Sequence, residues 1–453
     1  MESCHPEEII IIGAGVLGLS TALALLRRPK YATSTITLID AAPELPNSSS
    51  ASADTSRILR ADYALKPYTR LVSQAQKLWK DVGDDGWGGQ DRYHDASLVF
   101  TSQPGTQGHI DGYVEESLRN VKELTKSSEY GFSASQIRDL PNKEAIRRET
   151  KFPGVSGEFG YVNDNCGWVK ADACVNFVYE RIQQEGGKRT RIRPNSRVGR
   201  LLYDRDATRC CGVELFDGCQ LSASLVILAA GAWTPSLVDL SGQAMATGQV
   251  LAYLPINEQE QRALKSSPIY FNVSRGMFMI PPHNRELKLG RHGFGYQNPT
   301  EVTFYAPDGK ETRAMVSTPV TDMPIPGEAE AACREFLAEL FPQWKNRKFS
   351  KTRLCWYCDT PSGDFLIDYH PHVKGLFLAT GDSGHGFKVF PVIGDKIVDA
   401  IEGHLDTELK DLWRWKPHAH VPFDGTDDGT RGGRRGMMLE EEWKKEVSLD
   451  SRL

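Results

Sequence analysis

Hydrophobic and polar positions change their pattern at a glycine cluster near the start of the chain. Residues 8–12, EIIII, are a short apolar run typical of a buried parallel strand. Residues 13–18, GAGVLG, follow, and then LSTALALLRR, which has the composition and length of a buried helix. A second apolar run, STITLID, ends in Asp40. The pattern predicts a strand, a tight turn, a helix and a second parallel strand.

Two later segments have the same character. Residues 223–237, ASLVILAAGAWTPSL, are an apolar strand followed by a glycine turn. Residues 375–403, GLFLATGDSGHGFKVFPVIGDKIVDAIEG, are a strand, a glycine-rich turn and a helix. A dehydrogenase that binds NAD usually completes its nucleotide domain in one contiguous run, whereas a chain that returns repeatedly to one site is typical of FAD-binding folds. We therefore predict an α/β fold with a discontinuous, Rossmann-like FAD-binding domain and a substrate domain built on a mixed or antiparallel sheet.

These returns set the predicted domain boundaries. The FAD-binding domain is expected to take residues 1–85, 160–245 and 345–410, the substrate domain residues 86–159 and 246–344, and a C-terminal tail residues 411–453. The tail is charged and rich in glycine, so we expect it to be flexible.

The glycine cluster has the spacing of a dinucleotide-binding turn. Gly13 would turn the chain, Gly15 would let the backbone approach a pyrophosphate, and Gly18 would pack the helix on the strand. The pyrophosphate would then lie at the helix N-terminus. Asp40 can accept a hydrogen bond from a ribose hydroxyl, and its charge disfavours the 2′-phosphate of NADP. The sequence has no second motif of this kind for NAD(P)H as an external reductant.

A CxxC motif, Cys355 and Cys358, lies in the segment RLCWYCDTPSGDFLID. Aromatic residues and the turn signal at residues 361–363 predict a strand here. Side chains three positions apart on a strand face opposite ways, so the two sulfurs are not expected to form a disulfide switch or half of a zinc site. We predict no metal site, and at most one of the two sulfurs can face a ligand.

Composition excludes several classes of function. The chain has 453 residues, 40% of them hydrophobic, and a formal net charge of -5, which argues against nucleic acid as a partner. Nine cysteines without framework spacing indicate a reducing compartment. Residues 9–26 carry no charge, but their glycines and the acidic residues before them argue against a membrane span. Ser451, Arg452 and Leu453 resemble a peroxisomal import signal, so we expect the import receptor as a partner and a peroxisomal location, with the cytoplasm as the alternative.

Five segments in order between residues 8 and 403 resemble one family: IIIIGAGVLGLSTA, DTSRILR, RELKLGRH, CWYCDTPSGDFLID and GDSGHGFKVFPVIG. They are similar to the flavin-dependent amine oxidases that include monomeric sarcosine oxidase, L-pipecolate oxidase and fructosyl amino-acid oxidase, which share a D-amino-acid-oxidase-like fold. The resemblance implies a monomer that oxidises the C–N bond of a secondary amino acid to an imine and reduces O2 to hydrogen peroxide. LKLGRH and SGHGFK are slightly closer to the sarcosine and pipecolate branch.

The resemblance also implies roles for individual residues. Lys288 matches a catalytic lysine near flavin N5, and His292 matches a histidine that shapes substrate binding. A nearby cation disfavours the protonated form of a substrate amine, whose pKa is otherwise about 10. Arg60 and Lys388 match a pair that binds the substrate carboxylate. Phe278 stands where sarcosine-type members have a tyrosine, so we expect a more apolar pocket and a substrate bulkier than sarcosine.

Other matches concern the cofactor. Cys355 corresponds to a cysteine that is bonded covalently to the flavin 8α-methyl group, whereas Cys358 has no matching role. The remaining residues expected to bind FAD are Gly13, Gly15, Val16, Leu17, Gly18, Asp40, Ser50, Arg57, Val198, Gly231, Trp233, Asp382, Ser383, Gly384, His385, Gly386 and Lys388. Gly384 and Gly386 would let backbone amides approach the flavin ring, and the Val198 backbone would meet the adenine. The helix that begins near Pro391 would point its positive end at the pyrimidine side of the flavin.

Several alternatives stay open at this point. Within the same chemistry they are a saccharopine oxidase, a deglycating oxidase of fructosyl amino acids and a tailoring oxidase of an N-methyl amino acid. A flavin-bound redox sensor that uses Cys355 and Cys358 is the alternative without catalytic turnover.

Overall fold

A six-stranded sheet lies at the base of the nucleotide-binding half in the computed structural model, which describes residues 6–105, 108–306, 308–417 and 423–450. Its strands lie in the order Leu366–Tyr369, Leu376–Thr380, Leu225–Leu228, Glu8–Ile12, Thr35–Ile39 and Thr190–Arg193. The first of these runs antiparallel to its neighbour, and the other neighbours pair in parallel. The predicted return of distant segments to one sheet is therefore confirmed.

The helix after the glycine turn, Val16–Arg27, explains the long uncharged run near the start of the chain. It packs against helices Ala171–Gly186 and Phe390–Glu402, so almost all of its residues are buried. A Cβ atom on Gly394 would lie 2.0 Å from the carbonyl oxygen of Ser20, so glycine is required for this close approach of the two helices. Within the described part of the chain, no helix has the length and apolar character needed to span a membrane.

The remaining helices surround the sheets or connect their strands. They are Lys66–Trp79, Gly108–Leu124, Lys143–Thr150, Glu258–Leu264, Gly327–Leu340, Thr407–Trp413 and Leu439–Asp450. Two small sheets are formed by Val198–Tyr203, Cys210–Leu215 and Gln220–Ser222, and by Arg57–Leu59, Gly167–Val169 and Tyr93–Asp95. The strands Pro299–Tyr305 and Glu311–Ser317 form a separate hairpin.

A nine-stranded sheet builds the second half. Its strands lie in the order Lys351–Asp359, Met245–Pro255, Glu286–Gln297, Met277–His283, Ile269–Asn272, Leu98–Ser102, Phe159–Asn163 and Ile137–Leu140, and Met437–Met438 pairs with Glu286–Gln297. Helix Gly327–Leu340 packs on one face of this sheet. Because strand side chains alternate, Val250 joins the core under that helix, while its neighbour Leu251 faces a cavity on the other side.

Strand pairing divides the chain differently from the predicted boundaries at two places. Residues 159–163 and 351–359 pair within the nine-stranded sheet, although residues 160–163 and 351–359 had been assigned to the FAD-binding domain. Interstrand backbone hydrogen bonds decide this membership, and they are not visible in the order of apolar segments. The chain crosses from one sheet to the other between Asp359 and Leu366.

The C-terminal segment is packed rather than flexible over its described residues, so that expectation is wrong for residues 423–445. Arg431 is fully buried and donates hydrogen bonds to Asp359 Oδ1 at 2.8 Å and to the carbonyl oxygens of Ser383 at 2.8 Å and Gly293 at 3.1 Å. Glycine content was misleading here, because one buried ion pair fixes the segment. Residues 451–453, which carry the expected import signal, lie outside the described residues.

Replacement of Arg431 by alanine should destabilise the protein strongly. The change leaves the buried Asp359 carboxylate without its cation, which typically costs about 3–5 kcal/mol. Urea unfolding followed by circular dichroism measures this as a fall in the free energy of unfolding. Lys444→Ala is the control in the same segment, because Lys444 pairs with Glu440, both side chains are exposed, and the loss should cost less than about 1 kcal/mol. Equal losses in the two variants would contradict the anchoring role.

Candidate functional site

A large cavity, about 1020 Å³ in volume, opens at the carboxyl ends of the parallel strands. It begins at the glycine turn and extends to Trp356 and Asp382. Of the predicted cofactor residues, it is lined by Gly13, Gly15, Val16, Leu17, Asp40, Ser50, Val198, Gly231, Trp233 and Asp382. Ligands of open α/β sheets bind at this edge, where strand ends diverge.

The glycine turn takes the conformation that its spacing predicts. Gly13 has a φ of +107°, and a Cβ atom there would lie 2.3 Å from the carbonyl oxygen of Ala229. A Cβ atom on Gly18 would lie 1.9 Å from the carbonyl oxygen of Gly13, so the helix packs directly on the turn. The backbone amide of Val16 donates to Ser52 Oγ at 3.0 Å. The N-terminus of the helix therefore faces the cavity with its positive end.

Asp40 lies at the end of its strand, as predicted, and lines the large cavity. Its carboxylate accepts hydrogen bonds from the backbone amides of Ala14 and Ala42, both at 2.9 Å, and from Asn47 Nδ2 at 3.0 Å. These bonds hold the carboxylate in place in the wall of the cavity.

A small cavity adjoins the large one beneath the nine-stranded sheet. The two are connected at Arg57, which lines the small cavity and donates a hydrogen bond to the carbonyl oxygen of Ala51, a residue that lines the large one. The predicted residues that line the small cavity are Arg57, Arg60, Phe278, Lys288, His292, Cys355, Gly384, His385 and Lys388. Residues far apart in the chain are therefore brought together here, as their predicted roles require.

Two buried cations distinguish the small cavity. Arg60 is 4% exposed, and its guanidinium lies 5.2 Å from the ring centres of Tyr63 and Phe100. Lys388 is 8% exposed, and its Nζ lies 5.5 Å from the Tyr63 ring. Burial, together with repulsion from Arg60, lowers the pKa of Lys388 well below its ordinary value. Neither cation forms an ion pair with a carboxylate in the described residues. Such a pair is a site for an anion.

A third cation, Lys288, is held by a carboxylate that sequence reasoning missed. Its Nζ donates to Asp54 Oδ2 and to the carbonyl oxygen of Ser56, both at 2.6 Å. Asp54 also accepts hydrogen bonds from Arg57 and from the Tyr253 hydroxyl. Burial lowers the pKa of Lys288 to about 8, although the negative charge of Asp54 acts in the opposite direction.

Two histidines face the small cavity in the neutral form, His385 buried and His292 half-buried. Burial and the neighbouring cations lower the pKa of His292 and His385 well below the ordinary value. His385 Nε2 donates to the carbonyl oxygen of Gly363 at 2.8 Å, so Nδ1 accepts from the Tyr63 hydroxyl at 3.2 Å. His292 Nε2 lies 3.0 Å from Thr430 Oγ1.

The two cysteines of the CxxC motif face opposite ways, as predicted. Cys355 points to the small cavity, where Arg57 Nη2 lies 3.7 Å from its sulfur. Cys358 belongs to the core of the nucleotide-binding half and lies 3.1 Å from Thr380 Oγ1. This geometry offers no path to a disulfide between them, and it counts against the redox-sensor alternative.

Comparison with known proteins decides the family. Residues 8–400 match the family described as FAD dependent oxidoreductase. The chain belongs to this family. The amino acid oxidase imqH of Aspergillus flavus is 32% identical, over 90% of this chain and 98% of that protein. The L-saccharopine oxidase of Schizosaccharomyces pombe is 29% identical, over 90% and 93%. The solved structure of the deglycating enzyme fructosamine oxidase from Aspergillus fumigatus (Amadoriase II) matches with a TM-score of 0.79 at 28% identity, over 96% of each chain.

The residues present fit the cofactor of this family. The helix N-terminus and glycine turn can accept a pyrophosphate, and Asp40 lies where a ribose hydroxyl would be. The large cavity continues from there to Ala51, whose carbonyl oxygen accepts a hydrogen bond from Arg57 in the wall of the small cavity. A dinucleotide bound along this path would bring its redox-active end beside the buried cations. The predicted fold class and FAD dependence are confirmed by the family match.

Three of the predicted cofactor residues, Gly18, Ser383 and Gly386, line neither cavity. Glycine is needed at position 386 because a Cβ atom there would lie 2.7 Å from the Asp382 carboxylate. Gly384 lines the small cavity, but a Cβ atom there would lie 2.1 Å from the Tyr357 ring. These glycines therefore make room for neighbouring side chains, which sequence spacing could not distinguish from room for a ligand.

Aromatic side chains line much of the small cavity. Phe278 lines it as predicted, and Tyr63, Tyr113 and Tyr357 line it as well. Tyr357 follows the predicted flavin cysteine by two positions on the same strand, so strand alternation could have identified it.

Other residues that line the cavities carry no sequence signal that we can identify. Asp428 and Thr430 reach the small cavity from the C-terminal segment. The hairpin strand Pro299–Tyr305 forms part of the wall of the large cavity and contacts the small sheet through Arg200, whose guanidinium lies 5.5 Å from the Tyr305 ring.

The pKa of Lys288 should respond to the charge of Asp54. Asp54→Asn keeps the side-chain shape but removes the carboxylate that favours the protonated lysine, so the pKa of Lys288 should fall below about 8. NMR titration of ¹³C-labelled lysine side chains measures this, with the Lys288 resonance assigned by its absence in Lys288→Met. The control, Asp91→Asn, removes an exposed carboxylate and should leave that resonance unchanged. An unchanged titration in Asp54→Asn would show that the ion pair does not form in solution.

Proposed function

We propose that this protein is an FAD-dependent oxidase of secondary amino acids, which converts the C–N bond to an imine and reduces O2 to hydrogen peroxide. The observation that carries this proposal is the pair of buried cations, Arg60 and Lys388, in an aromatic cavity that adjoins the cofactor cavity. Relatives described as an amino acid oxidase and as an L-saccharopine oxidase support the same substrate class.

Arg60 and Lys388 would bind the substrate carboxylate. A carboxylate that leaves water must regain strong hydrogen bonds, and a guanidinium and an ammonium provide them. The apolar side chains of Phe271, Phe278 and Ile280 line the same cavity and would exclude water from the rest of the substrate. Fixing one end of the substrate in this way restricts the position of its amine.

The amine must be neutral to give up a hydride from the adjacent carbon, and this chain's own charges favour that form. Lys288 is largely protonated at neutral pH because its pKa is about 8. Its positive charge and those of Arg60 and Lys388 disfavour a substrate ammonium in the same cavity. When bound, FAD would supply the two-electron acceptor and the route of those electrons to O2.

Cys355 is proposed to form a thioether with the 8α-methyl carbon of the flavin. Its position supports this, because the sulfur faces the small cavity beside Arg57, which also donates to Ala51 in the wall of the large one. Arg57 Nη2, 3.7 Å away, would stabilise a thiolate. The remaining sites proposed for the cofactor are those given above along the large cavity.

A deglycating oxidase of fructosyl amino acids is the second candidate. It is favoured by the overlap with Amadoriase II, at a TM-score of 0.79, and with a modified fructosyl peptide oxidase from Aspergillus nidulans, at 0.81. Both reactions would place the substrate carboxylate at Arg60 and Lys388, so the part of the substrate beyond the amine separates them.

We further propose that the protein acts as a monomer in peroxisomes. The monomeric sarcosine oxidase of Bacillus sp. is 24% identical over 89% of this chain, and the peroxisomal sarcosine oxidase of Homo sapiens is 25% identical over 85%. Release of hydrogen peroxide would also suit that compartment.

A substrate panel with peroxide detection tests the proposed reaction. We expect peroxide from at least one of L-pipecolate, L-saccharopine, sarcosine or an N-methyl aromatic amino acid, and none from the corresponding amines without a carboxylate. Peroxide from fructosyl-lysine alone would favour the second candidate. Failure of every amino acid to reduce the flavin under anaerobic conditions would refute both.

A variant of Arg60 tests whether Arg60 and Lys388 bind the substrate carboxylate. Arg60→Gln should lower kcat/KM about 10- to 100-fold, mainly through KM, because a hydrogen bond to a charged group contributes about 1.5–3 kcal/mol. Arg70→Gln is the control, since Arg70 lies at the surface and pairs with Glu408. Equal kinetics of Arg60→Gln and the native enzyme would refute the proposal that Arg60 binds the substrate carboxylate.

Acid precipitation tests the thioether. The native protein should keep its yellow colour in the pellet, whereas Cys355→Ala should release flavin to the supernatant. Cys358→Ala is a matched control, because it removes a buried thiol three positions away that faces the core, and its pellet should stay yellow. Colour retained by Cys355→Ala would place the link elsewhere.

A further inference from the structure

The C-terminal segment contributes two polar residues to the small cavity. Asp428 and Thr430 line it, and the neighbouring Arg431 is anchored in the interior by Asp359. The match to the FAD dependent oxidoreductase family ends at residue 400. These residues therefore lie beyond the part of the chain that the family match accounts for.

The direction of the hydrogen bonds around Thr430 follows from a count of protons. Thr430 Oγ1 lies 2.7 Å from both carboxylate oxygens of Asp428, and the backbone amide of Thr430 donates to Asp428 Oδ1 at 2.8 Å. A hydroxyl carries one proton, and a carboxylate can only accept, so that proton points to Asp428. The Thr430 oxygen must then accept from His292 Nε2 at 3.0 Å.

The second nitrogen of His292 is left as an acceptor. The ring is neutral, because burial and the positive charges of Arg431, Lys388 and Arg60 lower its pKa well below the ordinary value. With the proton on Nε2, Nδ1 carries a lone pair. Nδ1 makes no hydrogen bond within the described ranges of the chain, and His292 lines the small cavity. The rings of Phe271 and Tyr357 flank the His292 ring, and their centres lie 6.1 Å and 6.0 Å from its centre.

We infer that Thr430, together with Asp428, is a positioning residue that keeps the proton of His292 on Nε2, so that Nδ1 is a fixed acceptor for the N–H of the substrate amine. The inference rests on the proposed function, since it takes an amino acid held by Arg60 and Lys388 as the ligand. It gives the site a second point of recognition besides the carboxylate. A ligand with an N–H next to its carboxylate is bound better than an isostere that lacks it.

Two planar carboxylates form a matched pair of probes. Pyrrole-2-carboxylate has a ring N–H beside the carboxylate, whereas 2-furoate has a ring oxygen in the same place, and neither offers an amine to oxidise. Their dissociation constants are measured from the change in flavin absorbance of the holoenzyme, without turnover. We expect the native enzyme to bind pyrrole-2-carboxylate about tenfold more tightly than 2-furoate, the ratio that corresponds to one buried hydrogen bond.

Three variants separate the positioning role from a general effect on the fold. Thr430→Val has the same shape without the hydroxyl, and it should bring the ratio of the two dissociation constants close to one. Thr430→Ser restores the hydroxyl and should restore the ratio. Thr426→Val removes another buried hydroxyl of the same segment, which donates to the carbonyl oxygen of Thr360 at 2.9 Å, and should keep the native ratio.

Nitrogen chemical shifts provide a second measurement that needs no ligand. In protein labelled with ¹⁵N-histidine, His292 should show one protonated and one bare ring nitrogen, and Thr430→Val should reduce the difference between them. A native preference that persists in Thr430→Val would overturn the inference, as would equal affinities for the two probes in the native enzyme. If neither carboxylate binds, the proposed clamp of Arg60 and Lys388 is wrong, and the inference falls with it.

Discussion

Positive charge buried beside aromatic rings is the constraint on which this site depends. Removing an ion from water costs on the order of several kcal/mol unless a partner and hydrogen bonds replace the solvent. Arg60 and Lys388 are buried without a carboxylate partner in the described chain. The fold bears this desolvation cost because regular elements hold both residues in place. Arg60 follows the strand Arg57–Leu59, and Lys388 precedes the helix Phe390–Glu402. An anionic ligand, as proposed above, would supply the missing partner.

Three other cations of the interior differ from Arg60 and Lys388, because each of them is paired with a carboxylate of the chain. Lys288 and Arg57 share the carboxylate of Asp54, and Arg431 pairs with Asp359. These ions are neutralised within the chain, so they can fix geometry and local potential without a ligand. One interior therefore contains two kinds of positive charge, one paired with a carboxylate of the chain and one without such a partner in the described residues. The second kind supports the proposed binding site more strongly than the shape of the cavity does.

Much of the nucleotide-binding half could be predicted from local pattern. The turn at Gly13 follows from a strand that runs straight into a helix, and Asp40 lies at the end of the next strand, as its place in the sequence indicates. The strand character of Lys351–Asp359 was also predictable, and with it the opposite directions of Cys355 and Cys358. The membership of this strand in the nine-stranded sheet was not predictable, because the strand Met245–Pro255, with which it pairs, lies about a hundred positions away in the chain.

The sequence by itself determined the kinds of elements, their order and the glycine turn, because each depends on side-chain spacing within a few residues. Resemblance added Arg60, Lys388 and Cys355 as residues to be brought together. Only the tertiary structure decided that Asp54 holds Lys288 and that a glycine-rich tail brings Thr430 to His292. Such contacts join segments far apart in the chain, and a buried ion pair or hydrogen bond leaves no periodic trace in the residues that form it.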